Sequence, residues 1–250
     1  MSQDKRPYIS LVIPAYNEEE RLRNTLKEAI FFLRGLGNAF EIIIINDGSE
    51  DATGSIARDF CCLGGGRDTE ARRLISYPVN QGKGFAVRQG VERARGQYLL
   101  ICDADGSIPP SELEKLLPFA QKGYALVVGS RAVPGPRGLV DQPLVRRILG
   151  RVFNLLVAFL VSRVVNDTQC GFKLLEARAA RKIFSHATIK GFAFDVEVLY
   201  LARKMGLAVK EVPVHCTSFK RSRVNLFGDS WRMFCDLLKI RLNIWRGVYR

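Results

Sequence analysis

Three clusters of polar side chains follow apolar runs in the first half of the chain: Pro14-Ala15-Tyr16-Asn17-Glu18-Glu19, Asn46-Asp47-Gly48-Ser49 with Asp51, and Asp103-Ala104-Asp105-Gly106-Ser107. Alone, each reads as a turn or a helix cap, because Asp before Gly bends a chain and Asp or Ser opens a helix. Together they bring at least three carboxylates to one rim if the apolar runs are parallel strands. Carboxylates so close repel one another unless a cation or hydrogen-bond donors join them. Asp103 and Asp105, separated only by small Ala104, form the sharpest pair. In an extended loop both can reach a hard cation, or one takes the cation and the other a sugar hydroxyl. Mg²⁺ or Mn²⁺ takes few protein carboxylates and completes its shell with phosphate oxygens. A metal bridging a diphosphate also neutralises the charge that builds on that group as it leaves.

Between the second and third clusters lies Asn80-Gln81-Gly82-Lys83-Gly84. Its glycines let backbone N–H groups approach an anion, and the helix that follows favours one at its N-terminus. It is not the G-x-x-x-x-G-K-[ST] pattern, which disfavours ordinary nucleoside-triphosphatase chemistry. Charge marks a second site. Residues 1–125 carry 16 basic and 17 acidic side chains, whereas residues 126–250 carry 22 and 8. The net +13 of the chain therefore belongs to its second half. That half can face phosphates or simply be a solvated basic surface. Within it, Lys220-Arg221-Ser222-Arg223 forms a basic loop after a strand ending at His215. Arginine forks on such a loop suit the capture of an acceptor phosphate. His215 and His186 read as structural.

The elements that must position these residues alternate. Tyr8–Pro14, Glu41–Ile45, Leu74–Tyr77, Gln97–Cys102 and Ala125–Gly129 read as short apolar strands. Helical spacing fills Glu18–Leu36, Thr53–Phe60, Lys83–Ala94 and Pro110–Gln121, with a Gly-rich turn at Cys61–Asp68. That order predicts an α/β fold with a doubly wound, mostly parallel sheet and ligands at the carboxyl ends of its strands. In the second half the expectation is a Pro/Gly loop at Val133–Pro143 and a long amphipathic helix at Leu144–Val165. An edge strand at Asp167–Leu175, helices at Glu176–Ser185 and Phe194–Met205 and a strand at Ala208–His215 follow. Ser218–Phe227 reads as a basic loop and Asp229–Tyr249 as a terminal helix. No repeat or linker divides the chain, so residues 1–250 read as one domain. Its parts are residues 1–132, residues 133–228 and a basic amphipathic C-terminal helix (229–250).

These motifs, in this order and spacing, resemble family-2 glycosyltransferases with the A-type nucleotide-sugar fold, over about Tyr8 to Arg241. Gly129-Ser130-Arg131-Ala132, Asp167-Thr168-Gln169-Cys170-Gly171-Phe172-Lys173-Leu174 and Phe194-Asp195-Val196-Glu197 resemble the dolichyl-phosphate β-glucosyltransferase branch. The dolichyl-phosphate mannosyltransferases are its near neighbours. The resemblance implies that Pro14, Ala15, Tyr16 and Glu18 line a base and ribose pocket and that Asp47 meets the base. Lys83 and Ala104 would lie on the nucleotide-sugar side. Asp103 would hold ribose or metal and Asp105 the metal, with Mg²⁺ or Mn²⁺ as cofactor. Arg131 would contact the phosphate region or the acceptor, beside Lys220, Arg221 and Arg223. Asp195 would belong with Asp105 and Arg131 to the catalytic set, and Gln169 and Glu197 would sit near the sugar. Some mannosyltransferase relatives carry Gln where this chain has Ser107, so the pattern offers two metal ligands here.

The activity so implied is inverting transfer of a hexose, glucose first, from a UDP-sugar to a polyprenyl or dolichyl monophosphate. Mannose from GDP-mannose is the near alternative. A nucleotide-binding module without catalysis is weakened by the intact Asp103/Asp105 pair. A nucleic-acid binder would interleave aromatic and basic residues and carry a basic first half, so no nucleic-acid partner is expected. Leu144–Val165 and the terminal helix carry apolar bodies rimmed by Arg, with Trp231 and Trp245 in the latter, which suits helices lying on an anionic membrane surface. No run reaches ~18 uninterrupted apolar residues, so no membrane span is expected. The polar Met1–Arg6 reads as neither signal nor anchor, unlike the eukaryotic glucosyl-type enzymes, which fits a bacterial or archaeal enzyme. Six cysteines without a C-x-x-C pair read as reduced thiols. The expected location is the cytoplasmic face of a membrane, held peripherally.

Overall fold

The computed structural model describes residues 6–63, 69–131, 153, 155–161, 165–216 and 228–249. Its first half alternates as the apolar runs require: β1 (Ile9–Ala15), α1 (Leu22–Gly35), β2 (Phe40–Asp47), α2 (Thr53–Cys62), β3 (Glu70–Tyr77), α3 (Lys83–Arg93) and β4 (Tyr98–Ile101). A 3₁₀ turn at Pro110–Glu112 leads into α4 (Leu113–Gln121), followed by β5 (Leu126–Ser130). Then come β6 (Lys173–Glu176), α5 (Ala177–His186), α6 (Phe194–Lys204), β7 (Val209–Pro213) and α7 (Gly228–Trp245).

The seven strands form one sheet in the order β3-β2-β1-β4-β6-β5-β7. β1 pairs in parallel with β2 and β4, β2 with β3, and β5 with β7. The four isoleucines of β2, Ile42 to Ile45, are wholly buried. A side chain covered on both sheet faces contributes roughly 1.5–3 kcal/mol, which is why so uniform a run belongs in the middle of a parallel sheet. α3 packs over β1 and β2 and carries its first residue, Lys83, to the rim where those strands end.

One expectation is overturned. The Asp167–Leu175 region does not supply an edge strand. Its strand is Lys173–Glu176, and it lies inside the sheet, antiparallel to both β4 and β5. A lysine in the run argues for an edge, where it reaches water. Here Lys173 is 0% exposed because a buried carboxylate receives it. Elsewhere β3 begins at Glu70, four residues before the expected strand, because Glu70 is paired with Arg34 and Arg72 and the strand continues beside Phe40. The Val133–Pro143 loop, the basic loop Ser218–Phe227 and most of the Leu144–Val165 helix lie outside the described residues, although residues 155–160 are helical.

Candidate active site

The rim is assembled from loops that hold one another. After β1, Asn17 takes a positive φ of 54° and its backbone N–H donates to Ser49 Oγ. Asn17 Oδ1 accepts from Glu50 N, and Glu18 N donates to Thr53 Oγ1. The Glu18 carboxylate receives Arg21 through Nε and Nη2, both at 2.7 Å. Pro14 and Ala15 close β1 as buried residues, while Tyr16 stands 43% exposed beside them.

Asp47, the last residue of β2, accepts from the backbone N–H groups of Gln81 (2.9 Å) and Gly82 (2.8 Å). Asn80 Nδ2 donates to the Asp47 carbonyl. These bonds correct the reading of the glycine turn: the N–H groups at 81 and 82 already have an anion, and it is Asp47. Burial raises the Asp47 carboxyl above its ordinary range, and the two N–H groups only partly oppose this. Gly82 has φ +101°, and a Cβ there would lie 2.5 Å from the Lys190 carbonyl. The turn is thus pressed against residues 188–191, whose Lys190 O also accepts from Phe85 N.

Glu197 was expected near the sugar, but the structure puts it behind this turn. It accepts from Thr188 N (2.9 Å), Thr188 Oγ1 (2.8 Å) and Ile189 N (2.9 Å). It also accepts from Tyr249 Oη at 2.6 Å. A wholly buried carboxylate so bonded is a strut. It ties the end of the chain to the loop that backs Lys83.

After β4 the chain presents Asp103, Ala104 and Asp105. Thr25 Oγ1 donates to the Ala104 carbonyl (2.8 Å), and Ser107 N donates to Asp105 Oδ1 (2.9 Å). Asp103 and Asp105 line one cavity with Ser107, Ile108, Arg131, Gly171, Phe172 and Cys216. Gly171 packs against Asp103: a Cβ there would stand 2.1 Å from Asp103 Oδ2 and displace that carboxylate. Two carboxylates on one wall, with room beside them, suit a divalent cation that takes its other ligands from phosphate and water. Among the described residues no cluster of three or more His, Cys, Asp or Glu forms a closed metal cage. Cys216 lines the same cavity, and burial pushes its thiol up to about 11.

Ion pairs run from that wall into the interior. Lys83 Nζ is 2.6 Å from Asp103 Oδ1. Burial opposes the Lys83 charge, yet the pull of Asp103, Asp195 and Asp105 holds its ammonium above the ordinary lysine range. Lys173 Nζ bonds Asp195 Oδ1 at 2.6 Å and also reaches the Cys170 carbonyl. Burial raises the Asp195 carboxyl, with Lys173 and Lys83 opposing. Arg131, just past β5, grips Asp167 through Nε (2.7 Å), Nη2 (2.9 Å) and its backbone N (3.0 Å). The structure therefore gives the Arg131 fork to Asp167 while leaving Arg131 on the cavity wall. Lys220, Arg221 and Arg223 lie outside the described residues.

Asp167 yields a pH prediction. Burial disfavours its charge, but the Arg131 guanidinium holds its carboxyl below the ordinary 3.8. A carboxyl lowered on folding adds stability above the unfolded-state pKa and loses it as pH falls through the folded value. Urea midpoints should therefore hold down to about pH 4 and fall below it. Asp167→Asn should be less stable at neutral pH and show a flatter acid limb. An unchanged acid limb would remove the pair from this role.

Lys173, Asp167 and Gly171 are the residues that site reasoning missed as a working set. The one signal in the sequence was a lysine followed directly by two leucines, at the start of the strand.

The sequence matches Glycosyl transferase family 2 over residues 10–184. It is 36% identical over 258 residues to a dolichyl-phosphate β-glucosyltransferase of Dictyostelium discoideum, covering 97% of this chain and 76% of that one. Against the enzyme of that name from Homo sapiens it is 35% identical over 257 residues, covering 97% and 77%. Among solved structures it resembles glucosyl-3-phosphoglycerate synthase from Mycobacterium tuberculosis in complex with Mn²⁺, UDP-glucose and phosphoglyceric acid. That likeness has a TM-score of 0.67 at 18% identity and covers 94% of this chain and 80% of that one, which shows a shared fold. With the crossed sheet, the paired aspartates after β4 and a match over most of its length, this chain belongs to glycosyltransferase family 2.

Proposed function

We propose that the protein transfers glucose from UDP-glucose to a polyprenyl or dolichyl monophosphate, with inversion at the anomeric carbon, at a membrane surface. The observation that carries this reading is the cavity bearing Asp103 and Asp105 in a chain alike, over 97% of its length, to proteins named dolichyl-phosphate β-glucosyltransferases. A UDP-glucose donor and Mn²⁺ are supported by the ligands of a protein with the same fold.

The acceptor shapes the mechanism. A phosphate monoester has a second pKa of ~6 and is already mostly dianionic at neutral pH. It attacks without a base to remove a proton, and no side chain of this site needs that role. What the protein must supply is alignment and charge compensation, since two anions have to meet. Asp103 and Asp105 would hold the divalent ion, which would supply electrostatic stabilisation to a departing diphosphate. Lys83 stands at the same wall as a second positive charge. Arg131, fixed by Asp167, and the arginines of the 220–223 loop face the acceptor phosphate in this reading. Incubation with UDP-glucose, Mn²⁺ and a polyprenyl phosphate should yield the glucosyl lipid. Product from GDP-mannose alone would reassign the donor, and no product from either would defeat the reading.

The membrane enters through α7. Trp231, Leu238, Leu242 and Trp245 recur at helical spacing and are exposed, Trp231 at 67% and Trp245 at 83%. Leu237 and Ile240, on the opposite side, are buried against the protein. Arg232, Lys239, Arg241 and Arg246 flank the exposed stripe. Such a face suits insertion among anionic headgroups. Among the described residues no helix is long and apolar enough to cross a membrane. The protein should sediment with phosphatidylglycerol vesicles, and salt should release it. Trp231→Ala with Trp245→Ala should weaken that binding about tenfold or more, given the apolar area removed. Unchanged binding by the double variant would place the membrane contact elsewhere.

A further inference from the structure

We propose that Lys83 is the internal counter-ion of the metal site: without nucleotide its ammonium holds the cation position at Asp103, and it yields that carboxylate only when a diphosphate arrives to receive it. The inference rests on the nucleotide-sugar reading and adds an order of assembly to it.

The geometry is specific. Lys83 is the first residue of α3, and its Nζ lies 2.6 Å from Asp103 Oδ1, with a side chain only 18% exposed. It is not a surface lysine that happens to face an acid. Its backbone is fixed from both sides, because Gly82 N is bonded to Asp47 and Phe85 N to the Lys190 carbonyl. The four flexible carbons of the side chain are left to move the charge. Asp103 lies beside Gly171, where an added Cβ would meet its carboxylate. Lys83 already occupies Oδ1 of that carboxylate, so a metal ion binding there competes with it.

Charge balance gives the direction. Asp103, Asp105 and Asp195 face Lys83 and Lys173, which leaves one negative charge in the cluster. Arg131 and Asp167 cancel separately. A divalent cation entering alone would turn that single negative charge positive in a buried setting. A diphosphate entering alone would make it strongly negative. Together they nearly cancel: with the dianionic diphosphate of a nucleotide sugar the cluster keeps its charge, and with UDP it becomes only about one unit more negative, whereas unbalanced charge is what burial penalises. Lys83 enforces this pairing, because it can leave Asp103 only towards another anion.

The test is Mn²⁺ binding read by electron paramagnetic resonance, a measurement independent of turnover. Wild-type protein, Lys83→Met and Lys83→Arg are titrated with Mn²⁺, with and without UDP. Lys83→Met should bind Mn²⁺ alone about tenfold more tightly than wild type, equivalent to removing one modest competing ion pair. UDP should then add little to Mn²⁺ affinity in that variant and much in wild type. Lys83→Arg keeps the charge and should behave like wild type. If Lys83→Met does not fold, Lys83→Gln gives the same comparison. Mn²⁺ affinity of the neutral variant equal to or below wild type overturns the inference. Failure of wild type to bind UDP with Mn²⁺ overturns the nucleotide-sugar reading instead, and the two results are separately visible.

Discussion

Asp105→Ala should lower glycosyl transfer by about two to three orders of magnitude and raise the Mn²⁺ concentration needed for what remains. Asp105 stands on the cavity wall with Oδ1 held by the Ser107 N–H, so its carboxylate is aimed before any ligand arrives. Its loss leaves Asp103, which is also engaged by Lys83. One shared carboxylate is a poor anchor for a divalent ion against water. The effect should fall on activity and metal dependence rather than on folding. A substitution of a partly exposed residue outside a buried ion pair commonly changes stability by no more than about 0.5 kcal/mol. Asp105→Asn, which keeps the shape and the bond to Ser107, should be nearly as inactive, because charge is the lost quantity. Full activity of Asp105→Ala with ordinary metal dependence would refute a metal-holding role for the pair after β4.

The largest stability effect is expected at Lys173. Its ammonium is fully buried inside the sheet, against an Asp195 carboxylate that is only 5% exposed. Lys173→Met keeps the length and apolar character of the side chain but strands the carboxylate in the interior. Removing one partner of a buried pair costs about 3–5 kcal/mol. In a chain of this size that is a fall in Tm of roughly 6–20 °C. The cost comes from the abandoned charge rather than from the bond itself, so Lys173→Met combined with Asp195→Leu should recover much of it. Thermal unfolding of the two single variants and the double variant measures this directly. If the double variant is no more stable than the less stable single one, the pair is not the source of the effect.

Lys173 also marks where reading the sequence stops. The isoleucines of β2, the turn residues after β1, β2 and β4, and the order of strand and helix were legible along the chain. Each is a local rule: apolar runs seek a buried strand, and Asp or Gly ends one. Side chains that lie close along the chain, such as Asp103 and Asp105, were therefore found as a pair without the fold. Asp47 was legible as a rim residue, but its partners, the N–H groups of Gln81 and Gly82, lie more than thirty residues away. The antiparallel insertion of β6 was not legible, because its neighbours β4 and β5 and the Asp195 that accepts Lys173 are set by contacts remote along the chain. The resemblance implied a phosphate or acceptor contact for Arg131, and Asp167 takes its fork from 36 residues on.

The sequence by itself determined that carboxylates gather at the carboxyl ends of a parallel sheet and that the basic charge lies in the second half, since both follow from residue order alone. The tertiary structure alone decided which of those charges neutralise one another. Ion pairing inside a protein depends on distances between elements remote along the chain and on how much water is excluded from between them, and neither is written in spacing.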